Sequence, residues 1–149
     1  MTGRPAAGPE APLTGLSHVQ LVVSDLEASV CWYTAALGLE PYDAHPERGY
    51  VALQHRGSKL VIVLSTSPEP GEGGDQDPRS SEVAPAARRD TVDHVAFAVP
   101  DREALAAWAE HLRAAGVEHQ GVVPELGNLS LHLRDPDGLA IELVAPGPR

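Results

Sequence analysis

Two histidines stand at matching positions of an internal repeat. Residues 18–28 and 94–104 are identical at six of 11 positions, and His18 and His94 open the two copies. A repeat of this kind indicates two copies of one supersecondary unit that pack against each other. Imidazole side chains bind divalent metals and transfer protons near neutral pH, so a histidine that recurs in both units is a candidate for chemistry.

The alternation of side chains along strands places these histidines on a polar face. The apolar residues that follow His18 and His94 fall on one side of each predicted strand, and the histidines fall on the other side. Near the C-terminal end, Ile141 and Leu143 flank Glu142 in the same way. We therefore expect both histidines and Glu142 to share the polar side of a sheet, opposite the core.

A tight turn brings a third histidine to this face. Residues 135–138 read Asp-Pro-Asp-Gly, which is typical of a type I turn followed by glycine in a left-handed bulge. A three-residue loop of this type pairs Asp135 with Leu139. His132 then lies directly opposite Glu142, with Cβ atoms about 5 Å apart. We therefore expect His132 beside the other candidate residues.

Two imidazoles and one carboxylate form the donor set of the 2-His-1-carboxylate triad, which holds a divalent metal and leaves coordination positions open. Taken singly, a strand histidine is more often a hydrogen-bonded core residue, and Glu142 could equally belong to a buried ion pair. Burying an unpaired carboxylate is costly, and a bound metal removes that cost. The joint pattern favours two of these histidines and Glu142 as metal ligands.

Charge and composition exclude several classes of partner. The chain carries 21 acidic and 11 basic side chains, a formal charge of −10. This charge repels phosphate backbones and anionic membranes, so nucleic acid is not an expected partner. No segment approaches the roughly 20 apolar residues that span a bilayer, and the first 15 residues lack the features of a secretion signal. We expect a cytoplasmic protein without membrane contact, in which the one cysteine, Cys31, is buried and inert.

The predicted fold class is α+β, with two βαβββ modules that form a cupped mixed sheet. Residues 1–12 are expected to be a flexible tail, and residues 13–149 a single domain. The modules span residues 13–66 and 91–145, joined by a Pro- and Gly-rich linker over residues 67–90.

Capping residues predict the two helices. The first runs from Asp25 to about Leu37 and the second from Asp101 to Ala115, because each begins at an N-cap aspartate and precedes a glycine. Predicted strands cover residues 16–23, 50–54, 60–65, 92–99, 117–123, 129–134 and 139–144.

With these features the chain resembles the vicinal oxygen chelate superfamily. That superfamily includes glyoxalase I, extradiol ring-cleaving dioxygenases, methylmalonyl-CoA epimerases, fosfomycin resistance enzymes and bleomycin-binding proteins. The resemblance rests on the two His-opened strands, the Asp-Pro-Asp-Gly turn and the strand around Glu142. It implies metal ligands at His18, His94 and Glu142. We also expect a homodimer, in which similar modules allow the ligands to come from one chain or from two.

Departures from the family patterns narrow the choice among the enzyme classes of the superfamily. Glyoxalases and epimerases add a fourth ligand where this chain has Val63, so the resemblance implies a three-ligand site, and metal-free bleomycin-binding proteins fit poorly. Fosfomycin resistance enzymes carry a threonine in place of Gln20, a lysine that residues 116–128 lack, and a longer tail. Extradiol dioxygenases usually carry a tyrosine in place of His132 and a histidine near the position of Lys59.

The leading interpretation is a small single-domain extradiol dioxygenase that uses Fe(II) and O2 to open a catechol. The resemblance extends to enzymes that open L-DOPA, so a catechol amino acid is the implied substrate. His132 is the expected general base, or the donor to the reacting oxygen, unless it only orients Glu142. The expected substrate contacts are Gln20, Tyr50, Ser130 and His132.

Two other interpretations stay open. A lyase or transferase of the glyoxalase or resistance type would use Mn(II), Ni(II) or Zn(II) as a Lewis acid and would consume no oxygen. A drug-binding protein would hold its ligand in a dimer cleft without turnover, and a chelator would leave that binding unchanged.

Overall fold

The first module is a βαβββ unit. The computed structural model describes residues 15–66 and 92–148. The elements of the first module are β1 (Val19–Val22), α1 (Leu26–Leu37), β2 (Glu40–His45), a 3-10 turn (Pro46–Arg48), β3 (Tyr50–Gln54) and β4 (Val61–Ser65). The strands form one sheet in the order β1-β4-β3-β2, in which β1 and β4 are parallel and the other pairs are antiparallel.

The second module repeats this plan. Its elements are β5 (His94–Ala98), α2 (Arg102–Ala114), β6 (Val123–Glu125), β7 (Asn128–Arg134) and β8 (Ala140–Pro146). The sheet order β5-β8-β7-β6 matches that of the first module, with β5 and β8 parallel. The α+β fold of two βαβββ modules is confirmed. The eight strands form two mixed sheets of four.

Matching capping contacts start the two helices. The Asp25 side chain accepts a 2.9 Å hydrogen bond from the Ala28 backbone, and Asp101 accepts a 2.8 Å bond from Ala104. These bonds satisfy backbone donors that a helix leaves unpaired in its first turn. Gly38 ends α1 in the left-handed conformation, with a φ of 66°. The predicted helix boundaries are therefore correct to within one residue.

Two predicted strand assignments differ from the structure. The position of β2 within the predicted βαβββ unit was not assigned, because its exposed sequence contains Pro41 and lacks alternating apolar residues, as is typical of an edge strand. The strand predicted over residues 117–123 is wrong, because β6 begins only at Val123. The His119 ring accepts from the Gly121 backbone at 3.0 Å and lies 2.9 Å from the carbonyl of Ala109. These contacts replace the ladder bonds of a strand.

The core lies between the helices and the apolar faces of the two sheets. One buried cluster includes side chains from both modules. Its largest fully buried members are Tyr33, Leu39, Leu53, Ile62, Leu64, Leu105, Leu112, Leu131 and Ile141. Burial of each such side chain stabilises the fold by about 1.5–3 kcal/mol. The opposite, polar faces of the sheets remain available for a site.

Among the described residues, hydrogen bonds join the modules at three places. The Tyr33 hydroxyl donates to Asp135 Oδ2 at 2.9 Å, and the Ser24 backbone donates to the Asp137 carboxylate at 3.1 Å. The His111 ring lies 2.9 Å from the Ala35 carbonyl and so links α2 to α1. The turn at residues 135–138 is therefore anchored to the first module as well as joining β7 to β8.

Some predictions are wrong or fall outside the described residues. Cys31 is exposed on α1 and not buried, because the buried side of that helix is formed by Tyr33, Ala36 and Leu37. The predicted tail, residues 1–12, and the predicted linker, residues 67–90, lie outside the described residues. Within the described ranges, no helix is both long enough and apolar enough to cross a membrane.

Candidate metal centre

The β7–β8 hairpin places His132 directly opposite Glu142, as predicted. The turn before β8 sets this register, because the Asp135 backbone donates to the Leu139 carbonyl at 3.0 Å and Gly138 adopts a φ of 83°. His132 Nδ1 lies 3.3 Å from Glu142 Oε1. The predicted pairing of an imidazole with the carboxylate is therefore confirmed.

His94 reaches the same carboxylate from the other side. Strand β5 pairs with β8 so that Ala96 lies opposite Glu142 and His94 is two residues away on the same face. His94 Nε2 lies 3.9 Å from Glu142 Oε2, and His94 Nδ1 lies 2.7 Å from Asp93 Oδ2. The hydrogen bond to Asp93, followed by the negative charge of Glu142, raises the pKa of His94.

Glu125 is a functional candidate that the sequence analysis missed. His132 Nε2 lies 2.9 Å from Glu125 Oε2. Among the described residues, Glu125, His132 and Glu142 form a group whose potential metal-binding atoms lie within 4.8 Å of one another. The two-residue connection Leu126-Gly127 lacks the usual Asn-Gly or Asp-Gly signal, so neither the β6–β7 hairpin nor its register was predicted.

These contacts define a chain of alternating carboxylates and imidazoles, which we call the Glu142 network. Its members are Asp93, His94, Glu142, His132 and Glu125. The Glu142 side chain is 17% exposed, whereas those of His94 and His132 are 40% and 45% exposed. A half-buried carboxylate that faces two imidazoles provides donor groups for a divalent metal ion.

His18 lies in a hollow of the first module. This first-module hollow has a volume of about 330 Å³ and is lined by Ser17, His18, Gln20, Tyr42, Asp43, Tyr50, Ala52, Val61 and Val63. All of these residues belong to the first sheet or to the segment directly before β1. Within the described part of one chain, His18 does not join His94 and Glu142 in a group of metal-binding atoms. Among the described residues, the first-module hollow thus contains His18 without His94 or Glu142.

The predicted substrate contacts are also divided. Gln20 and Tyr50 line the first-module hollow, and Gln20 Nε2 donates to Ser65 Oγ at 3.2 Å. His132 lines a groove of about 880 Å³ beside the loop that follows α2. Ser130 is only 3% exposed. The contact of Ser130 with substrate stays a prediction.

The position of Val63 supports the comparison of the two modules. Gln20 lies opposite Val63 in the first sheet, just as Ala96 lies opposite Glu142 in the second. Val63 is thus the structural counterpart of Glu142 and offers no donor atom. The first module therefore contributes a histidine to the candidate site and no carboxylate from this strand.

Comparison with known proteins identifies the family of this chain. A family model described as the Glyoxalase/Bleomycin resistance protein/Dioxygenase superfamily matches residues 15–143. The chain belongs to this superfamily. The resemblance to vicinal oxygen chelate proteins is therefore confirmed. The donor set of two imidazoles and one carboxylate fits a divalent metal ion.

Two curated relatives come from Bacillus subtilis (strain 168). A protein provisionally named ring-cleaving dioxygenase MhqA is 29% identical in an alignment of 148 residues, gaps included. The match covers 93% of this chain and 42% of the relative. A catechol-2,3-dioxygenase is 26% identical in an alignment of 140 residues, and that match covers 91% of this chain and 43% of the relative. The chain spans less than half the length of each of these two proteins.

A solved structure gives the same fold. The glyoxylase/bleomycin resistance protein/dioxygenase domain from Frankia sp. EAN1pec is 28% identical, with a TM-score of 0.68. The match covers 91% of this chain and 99% of that domain. A domain of this size therefore exists as a recognised unit of the superfamily.

Proposed function

We propose that this superfamily member is an Fe(II)-dependent extradiol dioxygenase that opens the ring of a small catechol with O2. The observation that carries the proposal is the position of Glu142, half-buried and facing His94 and His132 on one sheet face. The two relatives named as ring-cleaving and catechol dioxygenases support this reaction over the other chemistries of the superfamily.

The metal ligands in this proposal are His18, His94 and Glu142. Asp93 accepts a hydrogen bond at His94 Nδ1, which leaves Nε2 facing Glu142 as a ligand atom. Glu142 supplies the carboxylate. Fe(II), when bound by this set, would supply electrons and bring catecholate and O2 into contact.

We propose that His18 reaches the site from a second copy of the chain. The first-module hollow around His18 contains no second-module residue among those described. The strand face that carries His18 also exposes Val22, at 55%, and His94 on the other sheet is 40% exposed. An apolar side chain and a ligand side chain that are both exposed to solvent fit an interface between two copies of the chain. Each copy would then supply one module to a shared site.

The remaining side chains would bind and orient the catechol. Gln20 and Tyr50 offer an amide and a phenol in the first-module hollow. His132, beside Glu142, is placed to take the proton of a catechol hydroxyl. In the proposed reaction, the bond between one hydroxylated ring carbon and its neighbour without a hydroxyl breaks. Both atoms of O2 enter the product.

Oxygen uptake tests the proposal. Anaerobically purified protein, loaded with Fe(II), would be given a panel of catechols that includes L-DOPA, and both oxygen and absorbance would be followed. We expect oxygen consumption together with a yellow ring-opened product, and neither in Glu142→Ala. Iron bound in the wild type with no uptake on any catechol would overturn the dioxygenase proposal in favour of Lewis-acid chemistry or ligand binding.

A further inference from the structure

We propose that Glu125 is a positioning residue that fixes the His132 ring so that Nδ1, and not Nε2, faces the reaction. This inference rests on the proposed function, in which His132 handles the catechol proton. The contacts that carry it are a 2.9 Å approach of Glu125 Oε2 to His132 Nε2 and a 3.3 Å approach of Glu142 Oε1 to His132 Nδ1.

The two ring nitrogens of His132 have different partners. A carboxylate only accepts hydrogen bonds, and each ring nitrogen faces one. The contact of Nε2 with Glu125 is the shorter, at 2.9 Å against 3.3 Å for Nδ1 with Glu142, so it favours the proton on Nε2. A neutral imidazole carries one proton, and Nδ1 then keeps its lone pair. Flipping the ring about χ2 would move both nitrogens away from their carboxylate partners. Glu125 therefore selects one tautomer and one ring orientation of His132.

The other histidine of the Glu142 network is held in the same way. Asp93 contacts His94 Nδ1 at 2.7 Å, and His94 Nε2 faces Glu142. In both cases an outer carboxylate holds one nitrogen, and the second nitrogen faces the central carboxylate. An outer partner of this kind orients an imidazole and typically affects activity by about 10–100-fold when it is removed.

The backbone beside Glu125 supports a role other than stability. Glu125 ends β6 at a two-residue turn in which Leu126 and Gly127 have φ values of 47° and 80°. Positive φ is costly for leucine, and its side chain is 96% exposed, so packing does not compensate for the cost. The turn pairs Glu125 with Asn128 and keeps the Glu125 side chain on the sheet face that carries His132.

Four variants test the inference in the Fe(II)-loaded enzyme: Glu125→Ala, Glu125→Gln, His132→Ala and the double variant Glu125→Ala/His132→Ala. Glu125→Ala should lower kcat by about 10–100-fold, with KM and iron content nearly unchanged. Glu125→Gln should restore most of kcat, because its amide oxygen accepts the same hydrogen bond. The double variant should be no slower than His132→Ala. Glu103→Ala, an exposed change in the first turn of α2, is the control and should behave as wild type.

Two results would overturn the inference. One is a loss of iron in Glu125→Ala with unchanged kcat per bound iron, which would make Glu125 a metal ligand. The other is an equal fold-loss of kcat when Glu125→Ala is introduced into the wild type and into His132→Ala. This result would mean that Glu125 does not act through the His132 ring.

A spectroscopic measurement separates this inference from the proposed function. Nitrogen NMR of metal-free protein with 15N-labelled histidine, at a pH where imidazoles are neutral, reports the tautomer of His132. We expect the proton on Nε2 in the wild type and a mixture of tautomers in Glu125→Ala. The same tautomer in both proteins would contradict the inference. This result is independent of activity, so it stands even if no catechol is cleaved.

Discussion

The hydroxyl of Tyr33 donates a 2.9 Å hydrogen bond to Asp135, the residue that begins the turn between β7 and β8. Asp135 also accepts from the backbones of Asp137 and Leu139, at 3.0 and 2.8 Å. The same turn sets the register that places His132 opposite Glu142. A buried side chain of the first module thus supports the geometry of the candidate site in the second.

We expect Tyr33→Phe to lower the free energy of unfolding by about 1–2 kcal/mol near neutral pH, because Asp135 loses a buried donor. Burial, followed by the negative charge of Asp135, raises the pKa of Tyr33. The folded protein therefore keeps a proton that the unfolded chain loses near pH 10.

The contribution of Tyr33 is fully present below about pH 10 and is lost as the pH rises further. Urea unfolding of the metal-free protein, followed by circular dichroism, should show wild type and Tyr33→Phe converging above that pH. Tyr42→Phe is the matched control, since Tyr42 is 57% exposed. A stability difference between wild type and Tyr33→Phe that stays constant across this range would contradict the account.

Glu142→Ala should abolish Fe(II) binding, because it removes the carboxylate from the candidate site. Metal analysis after desalting should find bound iron in the wild type and only background in the variant. Glu27→Ala, an exposed change in the first turn of α1, should retain iron. Full iron content in Glu142→Ala would show that the metal lies elsewhere.

Mixed dimers should reveal whether the site is shared between chains. His18→Ala and His94→Ala should each lose iron alone. If His18 acts on the partner's Glu142 network, a mixed dimer of these two variants contains one intact site. Random pairing of two co-expressed variants gives about half mixed dimers, so about a quarter of the wild-type iron should return. No recovery of iron in verified mixed dimers would place all three ligands in one chain.

Leu126→Asn should raise the free energy of unfolding by about 1 kcal/mol. Asparagine tolerates the positive φ at this position better than leucine does, and Asn-Gly is a preferred two-residue hairpin turn. Thermal or urea unfolding measures the change. Leu126→Ala removes the exposed apolar side chain but keeps a residue that disfavours positive φ, so it should leave stability unchanged. An equal gain in both variants would assign the effect to the side chain.

Local signals predicted most of the second module. The residue types of the Asp-Pro-Asp-Gly turn indicate its turn type and loop length, so the pairing of His132 with Glu142 could be derived without a structure. The N-cap aspartates similarly predicted both helices.

Other features depend on contacts that a single sequence does not display. Strand β2 is exposed and carries no apolar alternation, and it forms because β3 offers a free edge. Glu125 reaches His132 through a hairpin whose turn residues give no clear signal. The position of His18 relative to the Glu142 network depends on how modules pair, which similar repeats leave undetermined.

Isotope labelling with 18O2 tests the central claim most directly. The Fe(II)-loaded enzyme would react with a catechol that it consumes, and borohydride would trap the aldehyde before its oxygen exchanges with water. Mass spectrometry should find both labelled atoms in one ring-opened product, and no such product from Glu142→Ala. A product without the label, or oxygen reduced without ring opening, would contradict extradiol cleavage by this protein.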